Sequence, residues 1–215
     1  MLQKITTGGT RLALAAMLGA WTCLAGEAHA YDLSRAYVSE AAEVERGFVV
    51  GSVGLWIPGF GSFEEYHQLS LEYAGEFGIR FASIRGAHNI YAVGGFNFSP
   101  QELDPDVVRN PDRRGSNMLL GYAGLRYLPA PLCIGDGIGC PFVELRIGVL
   151  FEDADERVHS NAPDGELTVQ PGIGYRFSFG RVFQLGARAD VSWTEEARSR
   201  EIGWLSVTGF AGVGW

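Results

Sequence analysis

Beyond residue 46 the chain alternates apolar and polar residues with a period of two, in eight runs. They cover approximately 47–57, 66–81, 87–98, 116–128, 141–152, 166–178, 182–194 and 202–215. Successive side chains of a strand point to opposite faces, so each run predicts a strand with one oily and one polar side. The fifth run is the clearest: Val143, Leu145, Ile147, Val149 and Phe151 alternate with Phe142, Glu144, Arg146, Gly148, Leu150 and Glu152. The seventh sets Phe183, Leu185, Ala187, Ala189, Val191 and Trp193 against Gln184, Gly186, Arg188, Asp190, Ser192 and Thr194. The eighth sets Leu205, Val207, Gly209, Ala211, Val213 and Trp215 against Ser206, Thr208, Phe210, Gly212 and Gly214. The first and fourth runs alternate less clearly, and their registers are the hardest to read. Ahead of them, Leu33 to Arg46 carries apolar and charged residues at helical spacing. This lead is expected either to cap one mouth of the structure or to act as a tether.

Four short segments repeat one pattern. Gly78-Ile79-Arg80-Phe81, Gly124-Leu125-Arg126-Tyr127 and Gly174-Tyr175-Arg176-Phe177 each read Gly, apolar, Arg, aromatic, and Gly212-Val213-Gly214-Trp215 repeats it with Gly for Arg. Gly and Arg share one face, the apolar residue and the aromatic the other. On every second strand of a closed sheet, such repeats place a ring of aromatics at one level, as barrels show at a membrane–water interface.

Alternation alone does not say which face is inside, because a soluble lipocalin-like barrel has the same period with apolar residues inward. Three features favour the inverted arrangement. Aromatics fall at both ends of the oily face: Phe81, Tyr127, Tyr175, Phe177, Phe183 and Trp215 form a lower belt, and Phe96, Phe98, Phe151 and Trp193 an upper one. The polar face is rich in Gly, Ser and Asn, which suits a crowded lumen. Its charges nearly cancel, with Glu72, Glu76, Glu144 and Asp190 opposite Arg80, Arg126, Arg146, Arg176 and Arg188. Charges in a narrow interior must be paired, since desolvating them alone is prohibitive. Glu144 is expected to be shared between Arg126 and Arg176, with the Gly two residues before each Arg leaving the guanidinium room to turn. Each run is long enough for a tilted strand to cross a bilayer, which takes about 9–11 residues. The expected fold is therefore all-β, an eight-stranded antiparallel up-and-down transmembrane β-barrel. Short or stapled links (82–86, 129–140, 179–181) alternate with longer polar ones, so both termini are expected on the short-turn, periplasmic side.

Composition narrows the setting. Lys4 and Arg11 precede an apolar run, Leu12 to Ala25, that ends in the small-residue site Ala28-His29-Ala30. Residues 1–30 read as a secretory signal peptide, too short in its apolar part to span a bilayer comfortably. The expected organisation is thus 1–30 leader, 31–46 periplasmic lead and 47–215 barrel. Lys4 is the only lysine, which excludes lysine chemistry from the exported part. Removing Lys4, Arg11 and Glu27 with the leader takes the net charge from −8 to −9. That balance disfavours nucleic acid, which requires basic patches. Cys133 and Cys140 survive cleavage and enclose six residues; in an oxidising compartment they are expected to form a structural disulfide.

With these alternating strands and the closing run Phe210-Ala211-Gly212-Val213-Gly214-Trp215, the chain resembles the small eight-stranded outer-membrane barrels of the opacity and attachment-protein type. The resemblance covers nearly all of 47–215. It implies recognition of the last strand by the barrel-assembly machinery, although members usually end in Phe and this chain ends in Trp215. The group holds adhesins, structural proteins and enzymes, so fold alone does not fix function. Lipid A hydrolases among such barrels carry a Ser-His-acid triad with His-x-Ser on the lipid-facing wall. The histidines beyond the leader, in His67-Gln68-Leu69, His88-Asn89-Ile90 and His159-Ser160-Asn161, do not fit that spacing. The reading is a non-enzymatic, cofactor-free outer-membrane protein with a plugged interior and a structural or adhesion-like role. Its expected partners are outer-membrane lipid, lipopolysaccharide and an extracellular protein met by its loops. The acidic run at 152–164 offers oxygen ligands for divalent ions, but without the glycine and spacing of an EF-hand loop. A lipid-modifying enzyme, a narrow channel and a soluble periplasmic binding barrel are the alternatives.

Overall fold

The computed structural model describes residues 45–60, 68–84, 88–102, 115–135, 138–154, 165–180, 182–196 and 200–215. The expected signal peptide, the lead as far as residue 44, His67, His159 and the acidic stretch 155–164 lie outside the described residues. The described chain forms eight strands: β1 (Gly47–Phe60), β2 (Ser70–Ile84), β3 (His88–Glu102), β4 (Gly115–Pro129), β5 (Gly139–Ala154), β6 (Glu166–Phe179), β7 (Phe183–Glu196) and β8 (Arg200–Gly214). Each pairs antiparallel with the next, and β1 pairs with β8 through Val50↔Gly212 and Ser52↔Phe210, closing the barrel.

Most strands run past the bounds read from alternation. The β2–β3 ladder steps over a bulge at Arg80/Ala82 and continues to Ile84↔His88, while β3–β4 pairs as far as Glu102↔Gly115. Alternation marks only the stretch with an oily face, whereas backbone pairing continues into polar residues beyond it. Between β4 and β5 a 3₁₀ turn (Ala130–Leu132) leads into a small hairpin closed by paired Ile134 and Gly139, with Gly135 at φ +59°. The Cys133–Cys140 disulfide spans this turn, with Cα atoms 4.2 Å apart.

The faces are inverted relative to a soluble barrel. Leu145 and Ile147 on β5 are 51% and 52% exposed, while Arg146 between them is 0% exposed, as is Asp190 on β7. Val49, Phe77, Ile79, Leu125, Ile173 and Val213 also face outward. A surface this oily around a charged centre is stable when hydrocarbon surrounds it.

The lumen carries the expected small and polar residues, among them Asn89, Asn97, Ser99, Ser116, Ser192 and Ser206, and two apolar layers besides. Phe48, Val50, Tyr91, Val93, Leu128, Phe142 and Phe210 form a buried apolar layer toward the end that carries residues 45 and 215, here the terminal end. Trp56, Met118, Leu120, Tyr122, Leu150 and Trp204 form a second layer toward the opposite, loop end. The Trp56 and Trp204 rings stack with centroids 5.9 Å apart. The charged groups sit between these two layers.

Candidate functional site: the sealed charged interior

Strand alternation brings six charged side chains to the middle of the lumen: Glu76 from β2, Arg126 from β4, Glu144 and Arg146 from β5, and Arg188 and Asp190 from β7. Arg126 Nη2 lies 2.5 Å from Glu76 Oε1 and 2.7 Å from Glu144 Oε2, and its Nε donates to the same Glu144 oxygen at 2.9 Å. Arg188 reaches Glu76 Oε2 and Asp190 Oδ2, each at 2.9 Å. Arg146 pairs with Asp190 and lies 3.2 Å from Glu144 Oε1. Three guanidinium groups thus meet three carboxylates, every one of them at least nine-tenths buried. The Tyr122 hydroxyl donates to Glu76 at 3.0 Å, and its ring lies under the Arg146 guanidinium at 4.6 Å. Such pairing is what makes buried charge tolerable.

Three members of the expected network stand elsewhere. Arg176 does not reach Glu144, whose guanidinium partners are Arg126, Arg146 and Arg188. It pairs instead with Glu45 at 2.7 Å, a residue just ahead of β1. Arg80 is half-buried at the terminal end beside the β2 bulge, and none of its ion pairs falls among the described residues. Glu72 is buried near the loop end and takes hydrogen bonds from neutral groups, Asn97 Nδ2 at 2.9 Å and Ser206 Oγ at 2.5 Å.

The glycines of the repeat have a different task from the one expected. A Cβ at Gly78 would strike the ring of Phe48, and one at Gly174 the ring of Phe142. These are the two rings that flank the Arg126 guanidinium, at 4.9 and 4.2 Å from their centroids. Gly124 lies against Leu145 O and against both the backbone and the side-chain stem of Arg146 on the neighbouring strand. Glycine therefore seats a ring or a neighbouring strand, and the rings hold the arginine.

The terminal mouth is closed by residues ahead of β1. Glu45 accepts hydrogen bonds from Arg176 Nη1 and from the Gln184 amide, and its carbonyl accepts from the Tyr91 hydroxyl at 3.2 Å. Arg46 N–H and Gly47 N–H both donate to Trp215 O, fastening the entry of β1 to the end of β8. Burial pushes the Glu45 carboxyl above its ordinary range, against the opposing pull of Arg176 and the Gln184 amide. Nothing in the periodicity singles out Glu45, because it precedes the first alternating residue.

Of the expected lower belt, Phe81, Phe177, Phe183 and Trp215 are exposed, and Tyr127 and Tyr175 half-buried, all near the terminal ends of their strands. Phe98, Phe151 and the half-buried Trp193 face outward toward the loop end. Phe96 stands midway along β3 with its ring over Gly75. His88 stacks on Tyr127 and shares a 2.6 Å hydrogen bond with its hydroxyl. Among the described residues no group of three or more His, Cys, Asp or Glu is arranged to hold a metal ion.

No protein-family model and no curated protein matches the sequence. Among solved structures the chain is similar to Neisserial surface protein A, with a TM-score of 0.52 at 10% identity, over 76% of this chain and 95% of that one. It also matches Ail, the attachment invasion locus protein of Yersinia pestis (TM-score 0.45, 9% identity, 80% and 99% covered). A third match is the outer membrane enzyme PagL (TM-score 0.46, 16% identity, 75% and 97% covered). Eight antiparallel strands closed on themselves, oily outside and ion-paired within, give this chain the fold of the small eight-stranded outer-membrane β-barrels.

Proposed function

We propose that the protein is a non-conducting barrel of a Gram-negative outer membrane, with a structural and surface-interacting role. In this reading the terminal end faces the periplasm and the loop end meets lipopolysaccharide and an extracellular protein partner. The observation that carries it is the balanced set of three guanidinium groups and three carboxylates, held between two apolar layers. A lumen of eight strands is just wide enough for side chains to fill, and opening this one means breaking buried ion pairs. What the molecule then offers is its outer wall and its loops.

The test has two parts. Cell fractionation with heat-modifiable gel mobility is expected to place the folded protein in the outer membrane; release without detergent overturns the membrane reading. Planar-bilayer recordings of the refolded protein are expected to stay at baseline; stepwise conductance removes the plug. Cells with and without the protein, compared for attachment to a protein-coated surface, address the loops, and equal attachment argues for a purely structural role.

A further inference from the structure

Glu72 does not share in the balance of the central cluster. Glu72 is 1% exposed, and among the described residues its carboxylate receives only the Asn97 amide and the Ser206 hydroxyl, both neutral. Among the described residues no guanidinium pairs with it, because Arg126, Arg146 and Arg188 are taken by Glu76, Glu144 and Asp190. Glu72 is therefore a buried carboxylate held, among the described residues, by neutral donors alone. An uncompensated charge in such a place is costly.

Beside Glu72 lies a void of about 10 Å³, lined by Glu72, Asn97, Ser99, Trp56, Trp204 and Met118 among others. That is room for a single water-sized occupant. Asn97 is 5% exposed, and with its Nδ2 given to Glu72 its Oδ1 is left buried without a hydrogen-bond partner among the described residues. Glu72 and Asn97, whose Oδ1 has no partner among the described residues, thus line one small space, together with Ser99, whose hydroxyl donates to Leu71 O and accepts from Gln101 Nε2.

We infer that this space is a binding site for one monovalent cation of the potassium or ammonium class, held by Glu72 and Asn97. A carboxylate and an amide oxygen are acceptors, so a cation satisfies both at once and neutralises the carboxylate. The same walls disfavour a divalent ion. Calcium takes six to eight oxygens and magnesium a near-complete octahedron, whereas the indoles of Trp56 and Trp204 and the Met118 side chain cannot replace that shell. A weakly hydrated monovalent ion gives up less on entering. This inference extends the closed-plug reading without using the loops, and it holds or fails independently of any surface partner.

The test is thermal unfolding of the folded full-length barrel in detergent, at fixed pH and ionic strength, with potassium replacing N-methyl-D-glucamine. An ion bound only by the native state raises Tm until the site saturates. The expected result is a saturating rise of several degrees for the wild type that is lost in Glu72→Gln. A flat wild-type response, as a protonated Glu72 would give, overturns the inference, and so does an equal rise in the variant. If Glu72→Gln does not fold, crystals of the wild type soaked in thallium(I) decide the matter. An anomalous peak in contact with Glu72 and Asn97 supports the site, and a solvent-like density with no anomalous signal overturns it. Stepwise conductance without this peak would count separately, against the plug.

Discussion

The guanidinium carbon of Arg126 stands 4.2 Å from the centre of the Phe142 ring. Its nitrogens meanwhile reach Glu76 and Glu144, so one side chain joins the apolar layer near the terminal end to the ionic centre. Phe48 closes the other side at 4.9 Å. Each ring lies over a glycine of the repeat, Phe142 over Gly174 and Phe48 over Gly78. Seat, ring and arginine form one mechanical unit, repeated on two sides of the lumen. A stacked guanidinium keeps its planar fork aimed at carboxylates, which Lys would not reproduce.

Gly174→Ala is therefore expected to destabilise the barrel by about 1–3 kcal/mol, the usual cost of overfilling a close-fitting interior. The added methyl meets the Phe142 ring on one side and Ala187 O on the other. Adding Phe142→Leu should recover part of the loss. Urea unfolding of vesicle-inserted protein, followed by gel mobility, measures both. A Gly174→Ala barrel as stable as the wild type would show that glycine is not required as a seat.

Arg126→Met removes the cation shared by Glu76 and Glu144 while keeping an unbranched chain between the rings. Breaking a buried pair from one side typically costs about 3–5 kcal/mol, because a charge is left behind. Here Arg188 still reaches Glu76, and Arg146 and Arg188 still face Glu144, so the lower end of that range is expected. Adding Glu144→Gln should restore stability in part, and the coupling between the two changes is read from a double-mutant cycle.

How much of this was legible in the sequence depended on the face concerned. On β5 and β7 one side is oily and the other charged, so Leu145 outside and Arg146 inside could be read from alternation. On β1 and β4 the inward residues include Phe48, Val50, Trp56, Met118, Leu120 and Leu128, as apolar as the outward ones, and the period of two disappears. Those strands supply much of the two sealing layers, which is why the layers were not foreseen. The pairing of Arg176 is hidden for another reason. Adjacent strands placed it near Glu144, but its partner Glu45 lies 131 residues away in sequence, outside every alternating run. Ion-pair candidates follow from composition and face, whereas their partners follow from shear and closure.

Glu45 sets a pH dependence of its own. Burial holds its carboxyl above the ordinary range, so the folded protein keeps that proton to higher pH than the unfolded chain. The stability linked to it is fully present below the unfolded carboxyl's range and declines as pH rises through the folded value. Glu45→Gln removes the titrating group and keeps partners for Gln184 and Arg176. Urea midpoints between about pH 4 and pH 8, a span that brackets the carboxyl range, should fall more steeply with rising pH in the wild type than in the variant. Coincident profiles would mean that Glu45 leaves the mouth before the barrel unfolds.

Two neighbouring positions on β5 separate a membrane wall from a soluble one. Leu145, near the middle of the strand, is about half exposed, and Arg146 beside it is wholly buried. If hydrocarbon surrounds the barrel, Leu145→Arg puts a charge against lipid, costing about 2–4 kcal/mol near the bilayer midplane. If water surrounds it, the same change at an exposed site should stay within about 0.5 kcal/mol. Arg146→Leu, by contrast, is costly in either setting, since it strips Asp190 of one of its two guanidinium partners. Comparing both variants in vesicles isolates the contribution of the solvent. Loss at both positions is expected, and a Leu145→Arg barrel that folds as well as the wild type would place water, not lipid, on the oily face.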